Sequence, residues 1–248
     1  MPFLYIEPFH GLSRANELGK RAMDLVLGCT LFLITLPLVI AAAILIKLED
    51  GGPVIYRSER VGRHEVPMTV FKLRTMVPNA AQMMAAISNL NERTGGPLFK
   101  ADNDPRITRV GRFLRVSSID ELPQLWNVIN GTMSLVGPRP ALPSEVAKFD
   151  AEFSRRHLMR PGITGLWQID ARDNPSFSAY RRLDLSYVDT WSFALDLEIL
   201  ATTAHSVVVR AIRPFGKLLT KRRRAPQVQK SLPATGARPA APAGASID

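Results

Sequence analysis

The chain has 248 residues, 46% of them hydrophobic, one cysteine, and a formal net charge of +10 from 32 Lys and Arg against 22 Asp and Glu. That apolar content excludes a mainly disordered chain, and the length suits one domain with appendages or two small ones. A single cysteine excludes an intramolecular disulfide framework and a Cys-rich zinc site. The basic excess suits nucleic acid, anionic lipid or phosphorylated substrates, and its position along the chain decides among them.

In chain order, residues 1–20 carry no helical or strand period and read as a loose lead. Residues 21–47 read as a membrane helix, because 25–46 hold 22 residues without a charge. About 20 apolar residues suffice to cross the hydrocarbon core, and no polar face interrupts this run. A cleaved signal peptide after Ala41-Ala42-Ala43 fits poorly, since the apolar run continues through Ile46. A lipoprotein site at Cys29 fits no better, because the apolar run follows that cysteine instead of preceding it.

Basic residues flank the helix on both sides: Arg14, Lys20 and Arg21 before it, and Lys47, Arg57, Arg60, Arg63, Lys72 and Arg74 after it. The positive-inside rule therefore assigns no orientation. A helix that enters and leaves on one face removes the conflict. Pro37 supplies a bend, and Thr35 supplies a hydroxyl for a freed carbonyl. On these residues alone, re-entrant and spanning arrangements are equally open.

Beyond a Gly51-Gly52-Pro53 turn, strands are expected at 54–56 and 68–76. In the second strand Lys72 and Arg74 alternate and share a face, which suits a substrate site and a solvated edge equally. Helices are expected over 78–92, 122–130, 144–159 and 176–190, with a short basic amphipathic segment closing 95–118 and turns over 160–174. Residues 199–219 read as an interfacial amphipathic helix with Arg210, Arg213 and Lys217 on its polar face. The tail 220–248 is basic, then Pro/Ala-rich, and reads as disordered. Residues 210–248 hold nine basic residues and one acid, leaving a net charge of only +2 on the preceding 209. At about 1 kcal/mol per Lys or Arg near an anionic surface, this distribution favours membrane lipid over nucleic acid.

The densest chemistry lies in 111–140. Pro123 forces a helix to begin near 119–121, which places Asp120 and Glu121 at its N-terminus. Ser118 and Glu121 fit an ordinary capping box, the structural reading of this pair. Arg106, Arg109, Arg112 and Arg115 precede the pair, and Arg139 follows between Pro138 and Pro140. Arginine is the forked donor suited to phosphate oxygens, an ionised Asp can attack phosphorus, and Glu can hold Mg²⁺. Together with the apolar helix, these residues point to phosphate chemistry on a lipid-borne or nucleotide-borne substrate. Asp184 and Asp189 read as helix-surface acids, and Trp126, Trp167 and Trp191 as core or interface residues. His10, His64, His157 and His205 show no metal spacing, and Cys29 is embedded and inert.

Residues 20 to about 205 resemble the bacterial sugar transferases, the monotopic phosphoglycosyl transferases that act on polyprenol phosphate. The resemblance rests on Lys20-Arg21 with Asp24, the run Phe71-Lys72-Leu73-Arg74-Thr75-Met76, and Asp104-Pro105-Arg106. It continues with Leu114-Arg115, Ser118 to Asn127, Ser134 to Pro140, and Arg160 to Gly165 with Trp167-Gln168. It implies an α/β catalytic domain over 48–205 on the cytoplasmic face of the bacterial inner membrane. The substrates it implies are a UDP-sugar and undecaprenyl phosphate. Asp120 matches the nucleophile that forms a phospho-sugar aspartyl intermediate and expels UMP, and Glu121 matches the acid that holds Mg²⁺. Arg115 and Arg139 match residues associated with phosphate and acceptor binding.

The resemblance also favours a re-entrant helix broken at a Ser-Pro pair, although Leu36 stands where Ser is usual. Asp170-Ala171-Arg172 likewise departs from a more typical Gly-Arg pair. The chain reads as a short form without an N-terminal multi-span extension, serving exopolysaccharide or other surface-glycan synthesis. The sugar, the pathway and any homo-oligomer stay open. A membrane-anchored scaffold without catalysis is the alternative, and a nucleic-acid-binding protein is the weaker one.

Overall fold

The computed structural model describes residues 12–83, 104–170 and 176–221. Ser13 begins the first helix by accepting a hydrogen bond from the Asn16 N–H, and the helix, α1, runs over Arg14–Asp50. It starts within the segment expected to be a loose lead, because Ser13 caps it and Glu17 ties its first turn to Arg63. Gly51, with a left-handed φ of 71°, ends it. At 37 residues and about 1.5 Å per residue, α1 is long and apolar enough to cross a membrane.

The helix assignment continues through Pro37. The Thr35 hydroxyl donates to the Leu31 carbonyl at 2.7 Å, two residues before Leu33, the acceptor that Pro37 cannot serve. Lys20, Asp24, Gly28, Ala42 and Ile46 of α1 are buried. Val26, Leu33, Ile34, Ile40 and Ile44 point outward and are exposed.

Two strands follow: β1 (Ile55–Val61) and β2 (Pro67–Leu73) pair antiparallel, with Ser58 opposite Val70 and Val61 opposite Pro67. Their turn is built by His64 and Glu65, both left-handed (φ 55° and 61°). Of the helix expected over 78–92, residues 78–83 are turn and the remainder lies outside the described residues. Next come α2 (Arg109–Ser117) and α3 (Gln124–Ile129).

A second sheet joins β3 (Ser134–Val136) in parallel to β4 (Gly162–Thr164). The expected single helix over 144–159 is replaced between them by α4 (Pro143–Val146), α5 (Ala151–Ser154) and a 3₁₀ turn over Arg155–Leu158. Asp150 breaks the run by accepting from the Phe153 N–H at 2.8 Å and restarting the chain as a new N-cap. Three helices complete the order: α6 (Leu166–Asp170), α7 (Phe177–Thr190, close to the expected 176–190 and capped by Ser176) and α8 (Phe193–Lys221). The Gly-Arg departure over 170–172 and the basic tail fall largely outside the described residues, as does the side-chain pattern expected to make 199–219 amphipathic.

Both sheets are two-stranded, so each leaves an edge that something else must satisfy. Asp24 of α1 accepts from the Leu135 N–H at 2.9 Å and the Ser134 hydroxyl at 3.0 Å, while Lys20 donates to the Val136 carbonyl at 3.0 Å. Lys20 and Asp24 lie one turn apart, which puts both on the face of α1 that meets β3. Lys20 also pairs with the fully buried Asp196 at 2.5 Å, and Asp196 accepts from the Tyr187 hydroxyl and the Trp191 indole N–H. The main core gathers Val70, Leu125, Val128, Met133, Leu135, Val136, Tyr187, Val188 and Ile199 around these sheets. A second cluster seals the far end of α1, where Ala42 and Ile46 pack on Leu73 and Leu114.

Candidate active site

The two candidate carboxylates stand on a tight turn between helices. Ser118 ends α2 in a left-handed conformation (φ 59°), and Ile119–Glu121 form one 3₁₀ turn. Pro123 then takes the N-cap position of α3. The expected capping box does not form, because it needs an extended N-cap residue and Ser118 is left-handed. A non-glycine residue held there costs about 1–2 kcal/mol, which the surrounding packing must offset.

Glu121 is freed from capping and pairs instead across to β2, where its Oε1 accepts from Lys72 Nζ at 2.9 Å. Asp120 is half-buried. Burial, and next the charge of Glu121, push its carboxyl up to about 6, against the pull of Lys72 and Arg115. Arg115 is held by its Nε, which donates to Thr75 Oγ1 at 2.9 Å. That contact depends on how closely α2 approaches the end of β2: a Cβ on Gly111 would lie 2.1 Å from the Thr75 carbonyl oxygen.

The strand that carries Lys72 is held in turn by Asn127. The Asn127 carboxamide accepts from the Phe71 N–H at 3.1 Å and donates to the Thr69 carbonyl at 2.7 Å, filling the edge of β2 as a neighbouring strand would. Four elements therefore converge: β2 brings Lys72, α2 brings Arg115, the 3₁₀ turn brings Asp120 and Glu121, and α3 holds the strand in place.

Other expected site residues lie elsewhere. β2 ends at Leu73, and the Arg74 guanidinium is buried against Asp50 (2.7 Å) and the Pro53 carbonyl (2.5 Å), fastening the end of α1. Arg106 pairs with Asp104 at 2.7 Å. Arg109 and Arg112 are exposed.

Arg139 belongs to a second cluster, following β3. Gly137 lets the chain turn there, since a Cβ on it would meet the Arg160 carbonyl oxygen at 2.3 Å. Arg139 Nη1 donates to Glu145 Oε2 at 3.0 Å, and its carbonyl accepts from Arg156. Burial disfavours the charge on Arg139, but Tyr180 and Glu145 beside it hold the guanidinium firmly protonated.

Arg156 is 1% exposed, pairs with Asp184 at 2.6 Å and lies over the rings of Phe149, Phe153 and Tyr180. Asp184 was expected on a helix surface and is in fact 1% exposed, because α7 turns it inward to meet Arg156. Asp189 is exposed as expected and pairs with Arg155. Trp167 is buried, whereas Trp126 is 51% exposed beside Phe32 of α1.

Among the described residues no three acidic, histidine or cysteine side chains gather as a metal cage. Mg²⁺ needs only one or two carboxylates when substrate phosphates complete its shell, and adjacent Asp120 and Glu121 fit that requirement. The mutual repulsion that helps raise the Asp120 carboxyl is what a divalent cation would relieve.

Thr75 and Asn127 hold Arg115 and β2 in this geometry through contacts that spacing did not predict. Thr75 and Asn127 fall inside the matched motifs, but only their tertiary partners reveal what they do.

A small mixed domain carrying one long apolar helix, with a carboxylate pair set among cationic side chains, suits a membrane-associated enzyme of phosphate chemistry. The chain belongs to the bacterial sugar transferase family, whose description matches residues 15–210. It is 38% identical, over 79% of its length, to the undecaprenyl-phosphate galactose phosphotransferase of Salmonella typhimurium, covering 42% of that protein. It is 35% identical over 83% of its length to the exopolysaccharide production protein ExoY of Rhizobium meliloti, covering 92% of it. It is 38% identical over 78% of its length to the UDP-glucose:undecaprenyl-phosphate glucose-1-phosphate transferase of Caulobacter vibrioides, covering 71% of it. The chain spans about two fifths of the length of several other relatives.

Proposed function

We propose that this protein transfers a sugar-1-phosphate from a UDP-sugar to polyprenol phosphate, at the cytoplasmic face of the bacterial inner membrane, in surface-glycan synthesis. The observation that carries the reading is the half-buried Asp120 carboxylate flanked by Arg115 and by the Glu121–Lys72 pair. An Asp oxygen attacks the sugar-bearing phosphorus, the bond to the UMP oxygen breaks, and UMP leaves. A phosphate oxygen of the polyprenol then attacks the same phosphorus, and the Asp120 carboxylate is restored.

Arg115 and Lys72 offset charge at the phosphorus as the nucleophile approaches, and their tethers to Thr75 and Glu121 keep them preorganised. Mg²⁺, held by Glu121 with Asp120, would supply further charge neutralisation at the phosphates. Covalent catalysis suits one pocket serving two substrates in turn, since the nucleotide leaves before the lipid arrives.

A same-face arrangement of α1 is part of the proposal. Supporting it, Gly28 packs on Val128 and Ala42 on Leu73 and Leu114, all of one domain. These two positions lie about 21 Å apart along the helix, less than the roughly 30 Å hydrocarbon thickness that would separate domains on opposite faces. The names of the relatives make UDP-galactose and UDP-glucose the first donors to test.

The test is UMP release from a panel of UDP-sugars, with undecaprenyl phosphate and Mg²⁺, by the full chain in detergent or nanodiscs. Release with one or more sugars, lost in Asp120→Asn, is expected. Absence of UMP with every donor, or unchanged turnover in Asp120→Asn, overturns the reading.

A further inference from the structure

Arg60 immediately precedes Val61, whose N–H donates to the Ala141 carbonyl at 2.9 Å, so the end of β1 runs beside the segment that carries Arg139. Strand alternation turns Arg57 and Glu59 outward, where both are exposed, and turns Arg60 inward with the buried Ser58. The Arg60 guanidinium is fixed there: Nε donates to Ser58 Oγ at 3.0 Å, and Nη1 donates to the Pro140 carbonyl at 3.1 Å. Burial, and next the positive charge of Arg139, work against its protonation, and the Glu145 carboxylate, which is hydrogen-bonded to Arg139, offsets this only in part.

Among the described residues no carboxylate lies within ion-pair distance of Arg60. The nearby acids are committed elsewhere. Glu145 accepts from Arg139 at 3.0 Å and from the Leu142 N–H at 2.7 Å, and Asp184 pairs with Arg156. Three guanidiniums, on Arg60, Arg139 and Arg156, thus share two carboxylates. Withdrawing a cation from water and setting it beside another is costly unless an anion joins them. Forked guanidiniums suit phosphate oxygens in particular.

We propose that Arg60 and Arg139 together bind a phosphate group of the substrate, which makes Arg60 a binding residue in its own right. This deepens the phosphoglycosyl transferase reading and rests on it. Two sources share that chemistry: the diphosphate of the nucleotide sugar and the phosphate monoester of the polyprenol acceptor.

The test uses the full chain and the variants Arg60→Gln and Arg60→Lys. Gln keeps a donor for Pro140 but removes the charge, and Lys keeps the charge but loses the fork. KM is measured separately for UDP-sugar and for polyprenol phosphate. Binding of UMP and of inorganic phosphate is followed by the shift each produces in thermal unfolding.

For Arg60→Gln we expect one KM to rise about 10–100-fold while kcat changes less, the loss appropriate to one charge-assisted hydrogen bond. A rise confined to UDP-sugar, with a weakened UMP shift, assigns the donor diphosphate. A rise confined to polyprenol phosphate, with UMP release in the absence of acceptor unaltered, assigns the acceptor. Arg60→Lys should fall between wild type and Gln.

Unchanged KM values in Arg60→Gln overturn the proposal. So does an equal loss of kcat and melting temperature in both variants, which marks a purely structural clamp. If the wild-type chain releases no UMP, the reading of the function fails by itself. The binding arm then still decides, because equal phosphate shifts in wild type and Arg60→Gln would sink the role of Arg60.

Discussion

Asn127 acts as a strand for Phe71: its carboxamide oxygen accepts the Phe71 N–H at 3.1 Å, while its amide nitrogen serves the Thr69 carbonyl at 2.7 Å. Lys72, which reaches Glu121, is the next residue on β2. Fold stability and site geometry therefore meet in one buried side chain. Asn127→Ala would orphan two backbone groups of β2. It is expected to cost about 2–4 kcal/mol in urea unfolding and to depress turnover more than substrate affinity. A variant as stable as wild type would show that β2 does not depend on this contact.

Asp120 offers a case where chemistry and stability pull apart. Its carboxyl titrates near 6 in the folded chain against an ordinary value of 3.8, so folding favours the protonated form. Its contribution to stability is greatest below pH 3.8 and is lost as pH rises through about 6. At pH 7 Asp120→Asn should thus unfold at an equal or higher temperature, by up to about 2 kcal/mol, while losing UMP release. A helix cap in the same position would behave oppositely and lose about 1 kcal/mol. Thermal unfolding of the variant separates the two roles.

The same titration sets a pH profile. The attacking carboxylate must be ionised, so kcat/KM should fall about tenfold per pH unit below the Asp120 titration, which lies near 6 without a cation and lower once Mg²⁺ offsets the charge of Glu121. A profile with no acid limb at limiting Mg²⁺ would remove Asp120 from the rate-limiting chemistry.

Asp184 and Arg156 form a buried pair at 2.6 Å behind Arg139. Asp184→Ala leaves a guanidinium enclosed by three aromatic rings and without its carboxylate, at an expected cost of about 3–5 kcal/mol. Asp184→Asn should cost less, because it keeps an acceptor. Denaturant midpoints at pH 7 provide the measurement, and equal midpoints for both variants would exclude an ionic role.

What was legible in the sequence was what depends on neighbours along the chain. The apolar run of α1, the helix expected over 176–190 and the proximity of Asp120, Glu121 and Pro123 all belong to that kind. Residues whose meaning comes from distant partners misled. Asp184 has the spacing of a solvent-facing acid, yet Arg156, 28 positions earlier, draws it inside. Arg74 alternates with Lys72, but the strand stops between them and Asp50 captures the guanidinium. The helical period of 144–159 is real as a pattern, and the side chain of Asp150 interrupts it by bonding locally. Ser118 and Glu121 spell a capping box that a left-handed backbone angle forbids.

The two ends of α1 are polar and occupied: Lys20 and Asp24 complete β3, Glu49 accepts from the Arg109 and Val110 N–H groups at the start of α2, and Asp50 holds Arg74. An anchor built this way is not a detachable module. Cutting it off to obtain a water-soluble enzyme would strip a strand edge, a helix cap, the buried Arg74 guanidinium and the buried Asp196 carboxylate of their partners at once. The catalytic domain and this helix accordingly depend on the same contacts, and replacing the helix with a foreign transmembrane segment is expected to restore membrane attachment without restoring the enzyme.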